Sequence, residues 1–182
     1  MFWGYVRYFL WVTKHRWYVF CLCVKNGIWL QGLLHDFSKF YHDEFIPSAI
    51  YFHKRLNPDG TPNEKIFEDY KRARRIHKVR NPHHWEHWVD WKTDNGGVIG
   101  IRKMEDKYFK EMICDWVGCS KSKFGKEAVR RGDNLYETRK WFHFNKYRML
   151  FHNDTLARIQ LVLYPINYQK TNVPRTIKNK ES

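Results

Sequence analysis

The chain is short of cysteine, short of acid and without a long apolar run, and each shortage excludes something. Its four cysteines, Cys21, Cys23, Cys114 and Cys119, form no Cys-x-x-Cys pair and sit among apolar neighbours. They read as reduced, buried small hydrophobes of a reducing compartment, which points to the cytoplasm. No span of about 20 uninterrupted apolar residues exists, so a transmembrane helix is not expected. Residues 2–12 are aromatic-rich but contain Arg7 and lack a small-residue cleavage site, and the later run is broken by Lys25, Asn26 and Gln31. There is no internal repeat. Asp plus Glu is only 19 against 33 Lys plus Arg, a formal net charge of +14. That imbalance favours a polyanionic partner: a nucleotide, a nucleic acid or an acidic membrane surface. What is plentiful is apolar: 43% of the 182 residues are hydrophobic and 18% aromatic, which excludes global disorder. The length suits one domain able to bury a core unaided.

Along the chain, apolar periodicity predicts a mostly helical domain over 1–165, followed by a basic, loosely held tail over 166–182. Residues 2–25 read as one amphipathic helix. Tyr8, Val12, His15, Val19 and Leu22 lie on its wide apolar face and Arg7, Lys14, Cys21 and Lys25 on a narrow stripe, so His15 points inward. Asn26-Gly27 ends that helix. A second apolar helix is expected over 28–40, and a third around 47–56. The turn-rich Asn57-Pro58-Asp59-Gly60-Thr61-Pro62 predicts a loop. A helix over 63–80 presents Lys71, Arg72, Arg74, Arg75, Lys78 and Arg80 on one face. Pro82 interrupts the chain, and the Trp85, Trp88, Trp91 spacing predicts a short helix over 83–92. A turn at Asp94-Asn95-Gly96-Gly97 leads to an extended piece over 98–101. Helices over 104–119, 127–147 and 155–163 complete the pattern.

Four of the ten histidines fall in one short segment, His77, His83, His84 and His87. Such clustering suggests metal ligation. On a helix, His84 and His87, or His83 and His87, would share a face. Imidazole suits zinc, iron, manganese or nickel, and added carboxylates shift preference to harder ions. Two His-Asp dipeptides occur. His42-Asp43 lies in a polar stretch and reads as a helix-capping turn. His35-Asp36 ends an apolar run, where an unpaired His and carboxylate would be costly, so the pair needs either a shared cation or a salt bridge to Lys or Arg. Asp115, within Ile113-Cys114-Asp115-Trp116, poses the same alternative.

His15, then His35-Asp36, then the distal histidines, then Asp115 resembles the H…HD…H…D order of HD-domain metal-dependent phosphohydrolases. Leu33-Leu34-His35-Asp36-Phe37-Ser38-Lys39 is similar to that superfamily's apolar-apolar-His-Asp-x-Gly-Lys stretch, with Ser38 in place of the common Gly and Lys39 matching. Asn81-Pro82-His83-His84-Trp85-Glu86-His87-Trp88 resembles a branch common in phage and bacterial genomes. The resemblance spans roughly residues 13–117. It implies an all-α single-domain helical bundle with a divalent metal site between helices, holding one or two ions of Mn, Fe, Co, Ni, Zn or Mg. His15, His35, Asp36 and Asp115 would hold the first ion. His84 and His87, with His77 or His83, would hold a second ion or contact phosphate.

The reaction expected on that resemblance is hydrolysis of a nucleotide or related phosphate ester. Asp36 would orient a water, and Lys39 would reach a phosphate as a point charge. Glu44, Glu86 and Glu111 are candidates for general base or for support of a ligating histidine, with exposed surface carboxylates as the ordinary alternative. Arg74 and Lys78, beside His77 and His83, would steer an anionic substrate. Two other classes stand against this reading: a basic nucleic-acid-binding protein or nuclease, for which the charge and aromatics speak, and a metal-stabilised interaction protein without turnover.

Overall fold

A computed structural model describes residues 2–92, 96–125 and 133–165. Helix α1 (Phe2–Lys25) is followed by α2 (Trp29–Leu34), α3 (His42–Lys54), α4 (Glu64–Arg80), α5 (Asp106–Phe124), α6 (Tyr136–Asn145) and α7 (Asn153–Leu163). Between α4 and α5 stand two short strands, β1 (Val89–Trp91) and β2 (Val98–Ile101), paired antiparallel with Val89 opposite Ile101. The architecture is therefore mostly helical but not all-helical. The protein has no helix, among the described residues, long and apolar enough to cross a membrane.

Helix α1 ends where the sequence predicts. Gly27 takes φ +71°, the Asn26 side chain donates to Leu22 O at 2.8 Å, and Ile28 N–H donates back to Cys23 O at 3.0 Å. Helix α4 starts on Asn63, whose side chain accepts from Ile66 N–H at 3.1 Å. The 57–62 segment is the expected loop, held by Thr61 N–H on Asp59 Oδ1 at 2.9 Å.

Three sequence expectations change. The helix expected over 28–40 is split: α2 stops at Leu34, and a 3-10 turn (Phe37–Phe40) follows His35-Asp36. His42-Asp43 is not a separate capping turn but the first turn of α3, which starts five residues before the expected Pro47. The helix expected over 83–92 does not form. A 3-10 turn (Trp85–Trp88) runs directly into β1, because residues 96–101 return antiparallel and supply strand partners. Part of the helix expected over 127–147, and the expected tail over 166–182, lie outside the described residues.

The core is arranged around one close crossing. A Cβ on Gly118 of α5 would come within 2.6 Å of Val19 Cγ2 on α1, so the missing side chain is what lets the two backbones approach. Gly32 does the same for α2, where a Cβ would meet Cys23 Cβ at 2.6 Å. Val19, Cys23, Ile28 and Cys114 pack there, Tyr8, Val12 and Ala49 form a second cluster, and Trp88, Met104, Phe109, Met112, Trp116 and Phe142 belong to a larger third. Each fully buried aliphatic side chain contributes about 1.5–3 kcal/mol. His15 lies one turn before Val19, and Asp115 one turn before Gly118. The crossing that packs the core thus brings those two polar side chains face to face.

Candidate metal centre

His15, on the inward face of α1, is buried as its spacing predicts. Its Nε2 lies 3.1 Å from Asp115 Oδ1 and 3.3 Å from Asp36 Oδ2. His35 Nε2 lies 3.4 Å from Asp36 Oδ2, 3.5 Å from Asp115 Oδ1 and 3.3 Å from His15 Nε2. Asp36 is reached by the break after α2. Among the described residues it is the only non-glycine with positive φ, at +54°. Such backbone is sparsely populated and is held only where surroundings over-determine it, commonly at functional sites. Arg16 helps to hold it, donating through Nε to His35 O and through Nη2 to Leu33 O, each at 2.8 Å.

The second oxygen of Asp36 looks the other way. Its Oδ1 lies 3.1 Å from His77 Nε2 on α4 and 3.4 Å from His83 Nε2 in the following loop. His84 closes this second group. Two sets of ligand atoms share Asp36, His15/His35/Asp36/Asp115 and Asp36/His77/His83/His84, and a third, His35/His83/Glu111, overlaps both; within each set the atoms lie within 4.8 Å of one another.

Two buried glutamates orient the imidazoles from behind. Glu111 Oε1 accepts from Nδ1–H of His35 at 2.8 Å and of His83 at 3.0 Å. Glu44 Oε2 accepts from His77 Nδ1–H at 2.7 Å and from Ser38 Oγ–H at 3.0 Å, while Arg80 Nη1 lies 2.5 Å from Glu44 Oε1. A carboxylate acceptor places the ring proton on Nδ1 and leaves Nε2 with a lone pair. Those lone pairs then point at carboxylate oxygens, which repel them unless a proton or a cation stands between. Asp36 Oδ1, His77 Nε2, His83 Nε2 and His84 Nε2 are buried without a hydrogen-bond partner. Lys39 Nζ approaches Asp36 Oδ2 at 2.5 Å as an ion pair. The donor set of imidazole nitrogens and carboxylate oxygens, with its unmatched buried atoms, fits a divalent cation.

The electrostatics agree. Four carboxylates (Asp36, Glu44, Glu111 and Asp115) gather with three fixed cations, Lys39 and Arg80 in ion pairs and Arg16 on the His35 carbonyl, inside a chain of net charge +14. Burial pushes the Asp36 carboxyl up, but the charges of His35, Lys39 and His77 outweigh it and hold it well below the usual range. Burial likewise raises Asp115, and hydrogen bonds from His15 and His35 bring it well below. Burial lowers His35, yet Asp36 and Asp115 raise it well above an ordinary histidine. His83 is raised against burial by Asp36 and Glu111. His84 is pushed well down, by burial and then by His83 and His77, so it is neutral and free to ligate.

Of the residues singled out from sequence, His15, His35, Asp36 and Asp115 come together as one group, and His77, His83 and His84 join Asp36 in the other. His87 does not join them. Without a helix over 83–92 it does not share a face with His84, and its Nδ1–H donates to Val79 O at 2.6 Å. Glu86 turns to Lys78, with which it pairs, and Arg74 is exposed beside the Tyr70 hydroxyl. His77 and His83, expected to complete a second ion's set or to contact phosphate, both stand among the ligand candidates. Glu44 and Glu111 are buried rather than surface carboxylates. Glu111 sits one helical turn before Asp115, a signal visible in the sequence. Glu44 lies in a polar stretch that carries no such signal.

A family model described as "Family of unknown function (DUF5662)" matches residues 4–164. The chain belongs to that family. The DUF5662 match runs through both ligand groups, from His15 to Asp115. No curated protein and no solved structure matches the chain.

Proposed function

We propose that this DUF5662 member is a metal-dependent phosphohydrolase of HD-domain type, with two ions held across Asp36, acting on a nucleotide or related phosphate ester. The observation that carries the reading is the shared carboxylate: one oxygen of Asp36 serves His15 and His35, and the other serves His77 and His83. His15, His35, Asp36 and Asp115 would hold one ion, and Asp36, His77, His83 and His84 the other. A divalent ion there supplies a Lewis acid that activates water and offsets charge on phosphoryl oxygens. The protein's own groups do the rest. The left-handed backbone at Asp36 fixes the carboxylate between both histidine groups. Glu111 and Glu44 hold three rings in their ligating tautomer. Lys39, partly exposed and packed over the Trp11 ring, presents a point charge at the rim for a phosphoryl oxygen. The exposed cations Lys71, Arg72, Arg74 and Arg75 of α4 steer an anion toward it. The free cysteines suit a reducing cytoplasm.

The test is elemental analysis of the untreated protein, followed by turnover of nucleotides and phosphodiesters with manganese, cobalt, nickel or magnesium. Turnover is expected, and His35→Ala and Asp36→Ala abolish it. Metal-loaded protein that hydrolyses no member of the panel refutes the enzyme reading and leaves a metal-stabilised interaction protein.

A further inference from the structure

Helix α1 is apolar on both sides. Its inward face carries Tyr8, Val12, His15 and Val19. Directly opposite, at intervals of seven residues, Trp3, Leu10, Trp17 and Val24 are 69%, 59%, 63% and 48% exposed. At 1.5 Å rise per residue this stripe is about 30 Å long. Helix α2 extends it. It lies against the second half of α1, where Gly32 meets Cys23 and Phe20, and it leaves Trp29, Leu33 and Leu34 exposed. A contiguous apolar surface of this size on a folded domain marks an interaction site.

The charges around it select the occupant. Before Asp36 the chain contains no acidic residue, and its cations are Arg7, Lys14, Arg16 and Lys25. By helical spacing, Arg7, Lys14 and Lys25 form one edge of the exposed stripe, and all three are exposed. A second copy of this surface would set cation against cation with no carboxylate to pair. The segment 166–182 adds Lys170, Arg175, Lys178 and Lys180 against Glu181 alone, so it is no better matched. We propose that α1 and α2 together dock on an anionic phospholipid bilayer, with Trp3, Leu10 and Trp17 entering the boundary between headgroups and acyl chains and the lysine edge on the phosphates. Tryptophan suits that boundary because its ring is apolar and its N–H is polar. Lys or Arg beside a helix with a large apolar face is the composition of helices that lie in the interface plane. Each cation near such a surface strengthens binding about fivefold.

The experiment is co-sedimentation of the full chain with vesicles of phosphatidylcholine containing about one-third phosphatidylserine, against phosphatidylcholine alone. Binding is expected to the anionic vesicles and to weaken as salt rises. Leu10→Ser with Trp17→Ser removes two exposed side chains outside the metal-ligand groups. It should lower binding about a hundredfold, about tenfold for each side chain kept in water, while metal content and helicity stay unchanged. No binding at low salt overturns the proposal, as does equal binding to neutral vesicles or a double variant that binds like the parent. A solution dimer that the double variant dissociates also overturns it and makes a second copy the occupant.

Discussion

Asp36→Asn is the sharpest perturbation of the centre, since it removes one charge and almost no volume. Asparagine is among the residues that accept a left-handed backbone, so the +54° φ at this position remains tolerable. The amide nitrogen would stand where a carboxylate oxygen faces either His15 and His35 or His77 and His83. One of the two groups therefore meets a donor in place of a ligand, and neither meets a charge. In the chelator-treated protein the change strips the counter-charge from Lys39, which is itself partly exposed but pairs with a fully buried Asp36. Removing one partner of a buried pair costs about 3–5 kcal/mol. With metal present the contrast widens. An ion at about a hundred times its dissociation constant stabilises the native state by about 2.7 kcal/mol. For a domain of this length, each kcal/mol moves Tm by about 2–4 °C. The parent protein should therefore gain about 5–11 °C per ion on adding manganese to chelated protein, followed by calorimetry, and the variant should gain none. A variant that shows the parent's full metal-induced rise would refute a centre built on Asp36.

Glu111→Gln should weaken metal binding about 10–100-fold, measured by competition with a chelating dye, because the one oxygen that accepts from both His35 and His83 loses its negative charge and holds the two rings less firmly. His84→Ala should lower metal stoichiometry, whereas His87→Ala should leave it intact; the reverse result would restore the ligand pair expected from helical spacing. Chelated protein should also show a defined pH profile in urea titrations. The depressed Asp36 and Asp115 contribute stability fully present above the ordinary carboxylate value, about 4, and lost as pH falls through their lowered values. The raised His35 and His83 contribute stability fully present below about 6.5 and lost as pH rises through theirs. His84, pushed well down, costs stability as pH falls below about 6.5, so stability should peak toward the upper of those limits, and a steady increase from pH 6 to about 9 would contradict the assignment.

Much of this centre is legible in the sequence because burial leaves a mark there. His15 continues an apolar stripe, and His35-Asp36 and Asp115 interrupt apolar runs, where a polar residue must find a partner. Long-range pairing leaves no mark of that kind. The split after Leu34 depends on a left-handed Asp36, a conformation held by tertiary contacts rather than by local preference. The 83–92 segment carries tryptophans at helical spacing but becomes a turn and a strand, because the returning β2 offers hydrogen bonds that outweigh the local pattern. Glu44 is buried through His77, Ser38 and Arg80, two of them more than thirty positions away. No window around it could show that.

The α1–α5 crossing has a consequence for assembly. His15 and Asp115 face each other from positions a hundred residues apart. A chain emerging from the ribosome with α1 to α4 complete owns three ligands of the first group and lacks its fourth until α5 follows. Closing so large a loop is slow relative to forming any single helix. Completion of the first ligand group is thus a late event in the life of the nascent chain, whereas Asp36, His77, His83 and His84 are all present once the segment after α4 has emerged.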